Sequence, residues 1–190
     1  IFIFLLLFLV PGISYSLEPN VFIQSTVNRA SQILSDDISK NEKIEKLKII
    51  ATDTVDIKGI GFYTLGKFRK KLNDAEKKEY TKLFREYFLK SFSSRLAEYT
   101  NPKIDVQSQE KLNDKYTIVS SVLVATDTRP EIKIQWRVYT KDPDRPLIRD
   151  LIIEGLSLAR TQKEEFSSII QSNDGNIQSL FSSLKEFINN

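Results

Sequence analysis

The stretch EIKIQWRVY, residues 131–139, decides the fold of this chain. Apolar residues alternate strictly along it, so that Ile132, Ile134, Trp136 and Val138 share one face of a strand and the charged residues share the other. Such a strand is typical of an antiparallel sheet that covers a core on one side and meets water on the other. The stretch therefore predicts a half-buried antiparallel sheet.

Three more segments are predicted to be strands of the same sheet. Residues 116–125 and 147–154 are apolar on both faces and are expected to be central or covered, whereas residues 103–109 form a weaker first strand. The connections are rich in turn-forming Asn, Asp and Pro, which favours a four-stranded antiparallel meander. These connections are residues 112–115, 126–130 and 141–146.

Helical spacing of apolar residues precedes the sheet. Residues 18–35 present one apolar face, and a second helix is predicted to begin at the capping box formed by Ser39 and Glu42. A long helix over 74–99 begins after a second box, Asn73 with Glu76. One stripe of this helix is apolar and largely aromatic: Tyr80, Leu83, Phe84, Tyr87, Phe88, Phe92, Leu96 and Tyr99.

Residues 56–72 also have helical spacing, but three glycines interrupt them. Gly59, Gly61 and Gly66 each weaken a helix by about 1 kcal/mol relative to Ala. So many glycines in so short a segment predict close backbone packing or a kink. We further expect the pocket to open by motion of the glycine-rich helix over 57–66.

Two helices are predicted after the sheet. Thr161 and Glu164 form a possible capping box for the first, and Gly175 separates it from a last amphipathic helix. Helices, an antiparallel meander and again helices predict an α+β fold with helices laid on one face of a curved sheet.

The joint between the last predicted strand and its helix, RDLIIEGLSLARTQKEEF (149–166), raises the question of catalysis. A hydrolase nucleophile needs a G-x-S-x-G elbow and a His, but Gly155-Leu156-Ser157 lacks the second Gly and the chain has no His. Asp150 and Glu154 remain as a candidate acid–base pair. The alternative is that these carboxylates bind a neighbouring Lys or Arg, or accept backbone N–H groups.

Composition excludes several function classes. With 28 basic and 25 acidic residues the net charge is +3, and the densest basic run, 68–78, is interrupted by Asp74 and Glu76. We expect that run to be a solvated face or a surface that meets a partner or headgroup, and we expect no nucleic acid partner. The absence of Cys and His excludes zinc sites built on thiolate or imidazole, and we expect neither a metal nor a cofactor.

The first sixteen residues, IFIFLLLFLVPGISYS, predict export. Ten apolar residues are too few to cross a bilayer core of about 30 Å, but they suit the apolar region of a signal peptide. We expect residues 1–16 to be a signal peptide truncated at its N-terminus, with a short uncleaved anchor as the alternative. Residues 17–190 would then form a single exported domain.

Three segments resemble one known family. RDLIIEGLSL (149–158) is similar to a D-x-x-x-E-G-x-S-L signature, VDIKGIGFYTLGKF (55–68) to a V-D and L-G pair before a long helix, and YTKLFREYFLKSFSSRLAEY (80–99) to that helix. These are features of the MlaC family of toluene-tolerance, periplasmic phospholipid-binding proteins. The resemblance covers roughly 20–188, although Thr161-Gln162-Lys163 and Pro146 replace an N-Y-R triplet and a Trp of the family.

The resemblance implies a monomeric carrier in the periplasm of a Gram-negative bacterium and no enzyme activity. The carrier would shuttle phospholipid between an outer-membrane lipoprotein complex and an inner-membrane MCE-domain ABC transporter. Its fold would be a four-stranded curved sheet of cystatin-like or nuclear-transport-factor-like type, with helices around an apolar pocket. Alternatives are a small exported enzyme that uses pocket carboxylates and an interaction module with a filled core.

Residues of the apolar faces are the candidate ligands for acyl chains, and cations near strand ends are the candidates for a headgroup. The mixed surface charge predicts that binding is tolerant of the headgroup. The acyl-chain candidates are Phe62, Phe84, Tyr87, Phe88, Val119, Leu123, Ile132, Ile134, Trp136, Val138, Leu151 and Ile153, and the headgroup candidates are Arg149, Arg160 and Lys163.

Overall fold

The computed structural model describes residues 17–190, so the predicted signal peptide lies outside the described residues. No helix within residues 17–190 is long and apolar enough to cross a membrane. The described chain has an α+β fold in which one antiparallel sheet packs against six α-helices.

The sheet is a meander of five strands, and the prediction of four was wrong. The strands follow one another in chain order: β1 (Ile104–Asn113), β2 (Tyr116–Leu123), β3 (Ile132–Tyr139), β4 (Leu147–Ile153) and β5 (Leu156–Ser157). The fifth strand exists because Glu154 and Gly155, both with positive φ, turn the chain back on β4. Two residues are too few to show a strand's alternation in sequence.

The alternation of apolar and polar residues along β3 gives the predicted strand with one buried and one exposed face. Ile134, Trp136 and Val138 are buried, whereas Lys133 and Gln135 on the opposite face are exposed. The indole N–H of Trp136 donates to Ser121 Oγ at 2.9 Å, which satisfies the one polar atom on this side chain.

Six α-helices and one short 3₁₀ helix surround the buried face of the sheet. Two of the three predicted capping boxes, Ser39 with Glu42 and Asn73 with Glu76, are confirmed. The elements are α1 (Pro19–Ser35), α2 (Lys40–Thr54), α3 (Ile57–Thr64), a 3₁₀ helix (Gly66–Lys70), α4 (Asp74–Leu96), α5 (Leu158–Gln171) and α6 (Ile177–Asn189).

The glycines predicted close backbone packing or a kink, and the helical structure over 56–72 is indeed broken at Gly66. The helix α3 begins after Asp56, whose side chain accepts the Gly59 N–H at 2.8 Å, and it ends at Thr64. Gly66, with a φ of 54°, then changes the chain direction before the 3₁₀ helix. A left-handed backbone conformation is available to Gly at little cost, which explains a break at this position.

The start of α5 also differs from the prediction. The N-cap is Ser157, whose hydroxyl accepts the Arg160 N–H at 3.1 Å, and not Thr161. Thr161 already lies inside the helix, where its hydroxyl donates to the Ser157 carbonyl at 3.1 Å. Contacts with Asp150 on β4 fix the earlier start.

Candidate functional site

The first of two apolar cavities lies between α4, α5 and β4. Its volume is about 200 Å³, and we call it the α5 cavity. Its lining is mostly apolar; the exposed Arg95 and Glu165 and the half-buried Gln162 form its polar rim, whereas Asp150 is buried. The lining residues are Val55, Ile60, Phe84, Tyr87, Phe88, Ser91, Phe92, Arg95, Ile148, Asp150, Leu151, Leu158, Ala159, Thr161, Gln162 and Glu165.

A second cavity of about 150 Å³, which we call the α1 cavity, lies between α1, α2, the C-terminal half of α4 and the sheet. Its lining is almost entirely apolar. The residues are Thr26, Val27, Ala30, Ser31, Leu34, Leu47, Ile50, Ala51, Thr54, Val55, Phe92, Leu96, Tyr99, Pro102, Ile104, Leu123, Ile134, Trp136, Ile148, Leu151 and Ile153.

The two cavities adjoin across four shared side chains, Val55, Phe92, Ile148 and Leu151, which we call the dividing wall. The wall is assembled by backbone pairing: Val55 forms a parallel bridge with Ile148, and the Asp56 N–H donates to the Ile148 carbonyl at 3.0 Å. The two apolar spaces are therefore adjacent, and the paired segments of Val55 and Ile148 form part of the boundary between them.

Eight of the twelve predicted acyl-chain residues line a cavity, and four do not. Val119 and Val138 are fully buried in the core, Phe62 is partly buried against that core, and Ile132 is the first residue of β3. The eight are Phe84, Tyr87 and Phe88 in the α5 cavity, Leu123, Ile134, Trp136 and Ile153 in the α1 cavity, and Leu151 in both.

Sequence reasoning missed most of the dividing wall and the polar rim. Phe92 could have been predicted as a cavity residue, because it belongs to the aromatic stripe of α4. Arg95 could have been predicted with it, because it lies three positions later on the same helical face. Val55 and Ile148 are 93 positions apart and meet only through their bridge, which leaves no local signal.

A chain of side-chain hydrogen bonds runs along the rim of the α5 cavity. The Tyr87 hydroxyl donates to Gln162 Oε1 at 2.8 Å, and Gln162 Nε2 donates to Glu165 Oε2 at 2.9 Å. Burial of the ring, with a further contribution from the Glu165 charge, raises the pKa of the Tyr87 hydroxyl. Tyr87 therefore remains a neutral donor at physiological pH.

None of the three predicted headgroup cations lines either cavity. Arg149 is ion-paired with Asp56, and its guanidinium carbon lies 4.6 Å from the Tyr139 ring centroid. Arg160 is exposed, and Lys163 lies over the exposed ring of Tyr63. Arg149 thus serves to hold the start of α3 against β4.

The glycines of α3 allow close packing next to the α5 cavity. A Cβ on Gly61 would lie 2.8 Å from Phe84 Cδ1, so an alanine would displace a ring that lines the cavity. The Gly61 carbonyl accepts the buried hydroxyls of Thr64 at 2.8 Å and Tyr80 at 3.1 Å. The predicted close packing is confirmed.

Asp150 and Glu154 do not form an acid–base pair. Asp150 is 4% exposed and accepts hydrogen bonds from Ser157 Oγ at 2.6 Å and the Ala159 N–H at 3.0 Å, with Arg137 at 3.7 Å. Glu154 is exposed in the turn and accepts the Lys133 N–H. Asp150 therefore fixes the first turn of α5, and the joint is structural.

No group of three or more potential metal ligands occurs among the described residues 17–190. The site consists of apolar space with a polar rim, which suits the binding of an apolar ligand that has a polar end.

Comparison with known proteins agrees with this geometry. The family model described as MlaC protein matches residues 24–186. This chain belongs to the MlaC family. The match extends from the first turns of α1 into the last turn of α6, so the MlaC assignment includes both cavities and the dividing wall.

A solved structure has the same fold. It is the phospholipid-binding protein from Ralstonia solanacearum in complex with a phospholipid, and it superposes with a TM-score of 0.75 and 18% sequence identity. The superposition covers 91% of this chain and 98% of that protein. The MlaC-family fold is thus retained although most side chains differ.

Proposed function

We propose that this protein is a periplasmic phospholipid carrier that holds acyl chains in the α5 and α1 cavities. The observation that carries the proposal is the dividing wall: two apolar cavities adjoin across Val55, Phe92, Ile148 and Leu151. A lipid with two tails has two apolar arms that could occupy spaces of this kind. Membership of the MlaC family and the fold shared with a phospholipid-binding protein support the same proposal.

The cavities are smaller than a loaded carrier requires. Ligand pockets usually measure about 300–1,000 Å³, whereas these measure about 200 and 150 Å³. In our proposal α4 and α5 move apart as the tails enter. The Tyr87–Gln162 hydrogen bond joins these helices at the rim and opens at small cost. The packing of Phe166 on Phe84 and Tyr87 also joins them, and the acyl chains would have to replace those contacts.

Energetics require that cargo is exchanged at membranes or membrane proteins. Burying about 30 methylenes at about 0.8 kcal/mol each amounts to more than 20 kcal/mol, which reaches the ceiling of non-covalent affinity. Release into water would be extremely slow. Transfer from one apolar medium to another has a small net free energy, so a carrier must dock before it unloads.

We further propose the two docking partners expected from the family: an outer-membrane lipoprotein complex and an inner-membrane MCE-domain ABC transporter. The predicted signal peptide over 1–16 supports a periplasmic location. The protein would act as a monomer without catalytic activity. Use of Asp150 to cap α5 supports a carrier over an enzyme that employs pocket carboxylates.

Lipid analysis of the exported protein tests the proposal. Residues 17–190 are exported in a Gram-negative host and purified without detergent, and a solvent extract is analysed by mass spectrometry. We expect near-stoichiometric phospholipid. Folded protein that contains no lipid, and that takes none from phospholipid vesicles, would overturn the proposal in favour of an interaction module with a filled core.

A further inference from the structure

We infer that the rim of the α5 cavity binds a zwitterionic headgroup, with the lipid phosphate at Arg95 and its ammonium group at Glu165. The inference rests on the proposed function and adds a preference among phospholipids to it. It differs from the sequence-based expectation that binding tolerates any headgroup. The deciding observation is that two side chains of opposite charge lie on one cavity rim and do not neutralise each other.

Arg95 is suited to the phosphate. Among the described residues that line the two cavities it is the only cation. No carboxylate within residues 17–190 lies within 4.0 Å of its guanidinium, whereas Arg137 and Arg149 are each paired with a carboxylate. A planar guanidinium presents several N–H donors in an arrangement that fits phosphate oxygens. The positive charge of the Arg95 guanidinium is therefore available to pair with an anionic group of a ligand at the cavity rim.

Glu165 is suited to the ammonium group. It is exposed on α5, and its Oε2 accepts one hydrogen bond from Gln162 at 2.9 Å. Gln162 is held in turn by the half-buried Tyr87. This chain orients the Glu165 carboxylate at the rim and leaves Oε1 for a further donor. The other lining carboxylate, Asp150, is buried and already accepts two hydrogen bonds.

A zwitterionic headgroup fits a rim that carries both charges. In phosphatidylethanolamine two carbon atoms separate the phosphate from the ammonium group, so neighbouring sites of opposite sign can bind both ends. Phosphatidylglycerol has the phosphate without the cation, so its hydroxyls can donate only neutral hydrogen bonds to Glu165, which are weaker than a contact with an ammonium group. Because Arg95 and Glu165 are both exposed, the preference is modest, about two- to fivefold.

Competition between two lipids tests the inference. The delipidated protein is incubated with vesicles of equimolar phosphatidylethanolamine and phosphatidylglycerol with matched acyl chains, reisolated, and extracted for mass spectrometry. We expect the bound ratio to favour phosphatidylethanolamine by about two- to fivefold. Glu165→Gln should bring the ratio close to one, and the matched control Glu164→Gln, one position along the exposed side of α5, should leave it unchanged.

The role of Arg95 is tested by measuring how fast bound lipid is released. Arg95→Gln should raise the rate at which both lipids pass to acceptor vesicles by about two- to fivefold and leave their ratio largely intact, because both lipids have a phosphate. A wild-type ratio of one on fully loaded protein would overturn the headgroup site and leave the carrier in place. Equal effects of Glu165→Gln and Glu164→Gln would also overturn it. Absence of both lipids from the wild-type protein would overturn the carrier itself.

Discussion

The Tyr87 hydroxyl on α4 donates a 2.8 Å hydrogen bond to Gln162 Oε1 on α5, and this contact spans the two helices that border the α5 cavity. The bond lies between the apolar lining of the cavity and its charged rim. The same side chain thus contributes an aromatic ring to the cavity and a polar link to the rim.

Removing this link should destabilise the protein modestly. We expect Tyr87→Phe to lower the free energy of unfolding by about 0.5–1.5 kcal/mol, the usual worth of one hydrogen bond. Urea titration measures the change. Tyr63→Phe is the matched control, because Tyr63 is exposed and its ring would remain beneath Lys163, so its effect should stay within about 0.5 kcal/mol. Equal effects of both variants would show that the helix-to-helix bond contributes nothing.

Asp150 should matter for folding. We expect Asp150→Ala to cost about 1–3 kcal/mol, because it removes the acceptor for Ser157 and leaves the buried Ala159 N–H without a partner. Chemical denaturation followed by circular dichroism measures the loss. Asp127→Ala, at an exposed position, is the control and should change stability by less than about 0.5 kcal/mol. A loss for Asp150→Ala no greater than the control's would contradict the structural role.

Gly61 should not tolerate a side chain. Its Cβ would lie 2.8 Å from the buried Phe84 ring, and overpacking of this kind costs about 1–3 kcal/mol. We expect Gly61→Ala to be destabilising even though Ala favours helices. The double variant Gly61→Ala/Phe84→Leu should lose less than the sum of the two single variants, because the smaller residue makes room. Strict additivity in this cycle would show that the clash is relieved elsewhere.

A larger side chain in the dividing wall should block the binding of lipid. Leu151 lines both cavities, so Leu151→Trp places an indole in the space assigned to acyl chains. We expect bound phospholipid to fall about tenfold or more, in keeping with an overpacking cost of about 1–3 kcal/mol. Ile152→Trp is the control, because the neighbouring residue of a strand points to the opposite face. Normal loading of folded Leu151→Trp protein would place the tails elsewhere.

Alkaline pH should lower the free energy of unfolding, because the buried Tyr80 and the half-buried Tyr87 both have a raised pKa. Burial raises the pKa of Tyr80, and likewise that of Tyr87, above the ordinary value of about 10. A raised pKa means that the native state retains protons that the unfolded state loses. The stabilisation is therefore complete below pH 10 and is lost as the pH rises through the native-state pKa values.

Unfolding free energies at pH 8 and pH 11 measure this effect. The decrease between the two should be smaller for Tyr80→Phe than for the wild type, although Tyr80→Phe itself loses the bonds to Gly61 and Thr64. Tyr63→Phe, at an exposed tyrosine, should keep the wild-type decrease. An unchanged decrease in Tyr80→Phe would show that other groups dominate the alkaline loss.

The features that were predicted correctly are those that depend on residues close together in the sequence. Alternation located β3, and the two capping boxes located the starts of α2 and α4. The start of α5 was misplaced because Ser157 and Thr161 are both plausible caps, and a contact with Asp150 on another element decides between them. Val55 and Ile148 of the dividing wall were missed for the same reason, because they become neighbours only through tertiary structure.

The order of the strands in the sheet is also their order along the chain, and this affects how the protein folds. Each strand pairs with the one just before it, so the sheet can grow hairpin by hairpin with short loop closures, which is the regime of rapid folding. The helix α6 is the last element along the chain. Its Phe181 stacks on Tyr80, and Lys185 pairs with Glu79 across 106 positions of sequence. A chain that ends before α6 would therefore uncover the part of the aromatic stripe around Tyr80 and make the protein prone to aggregation.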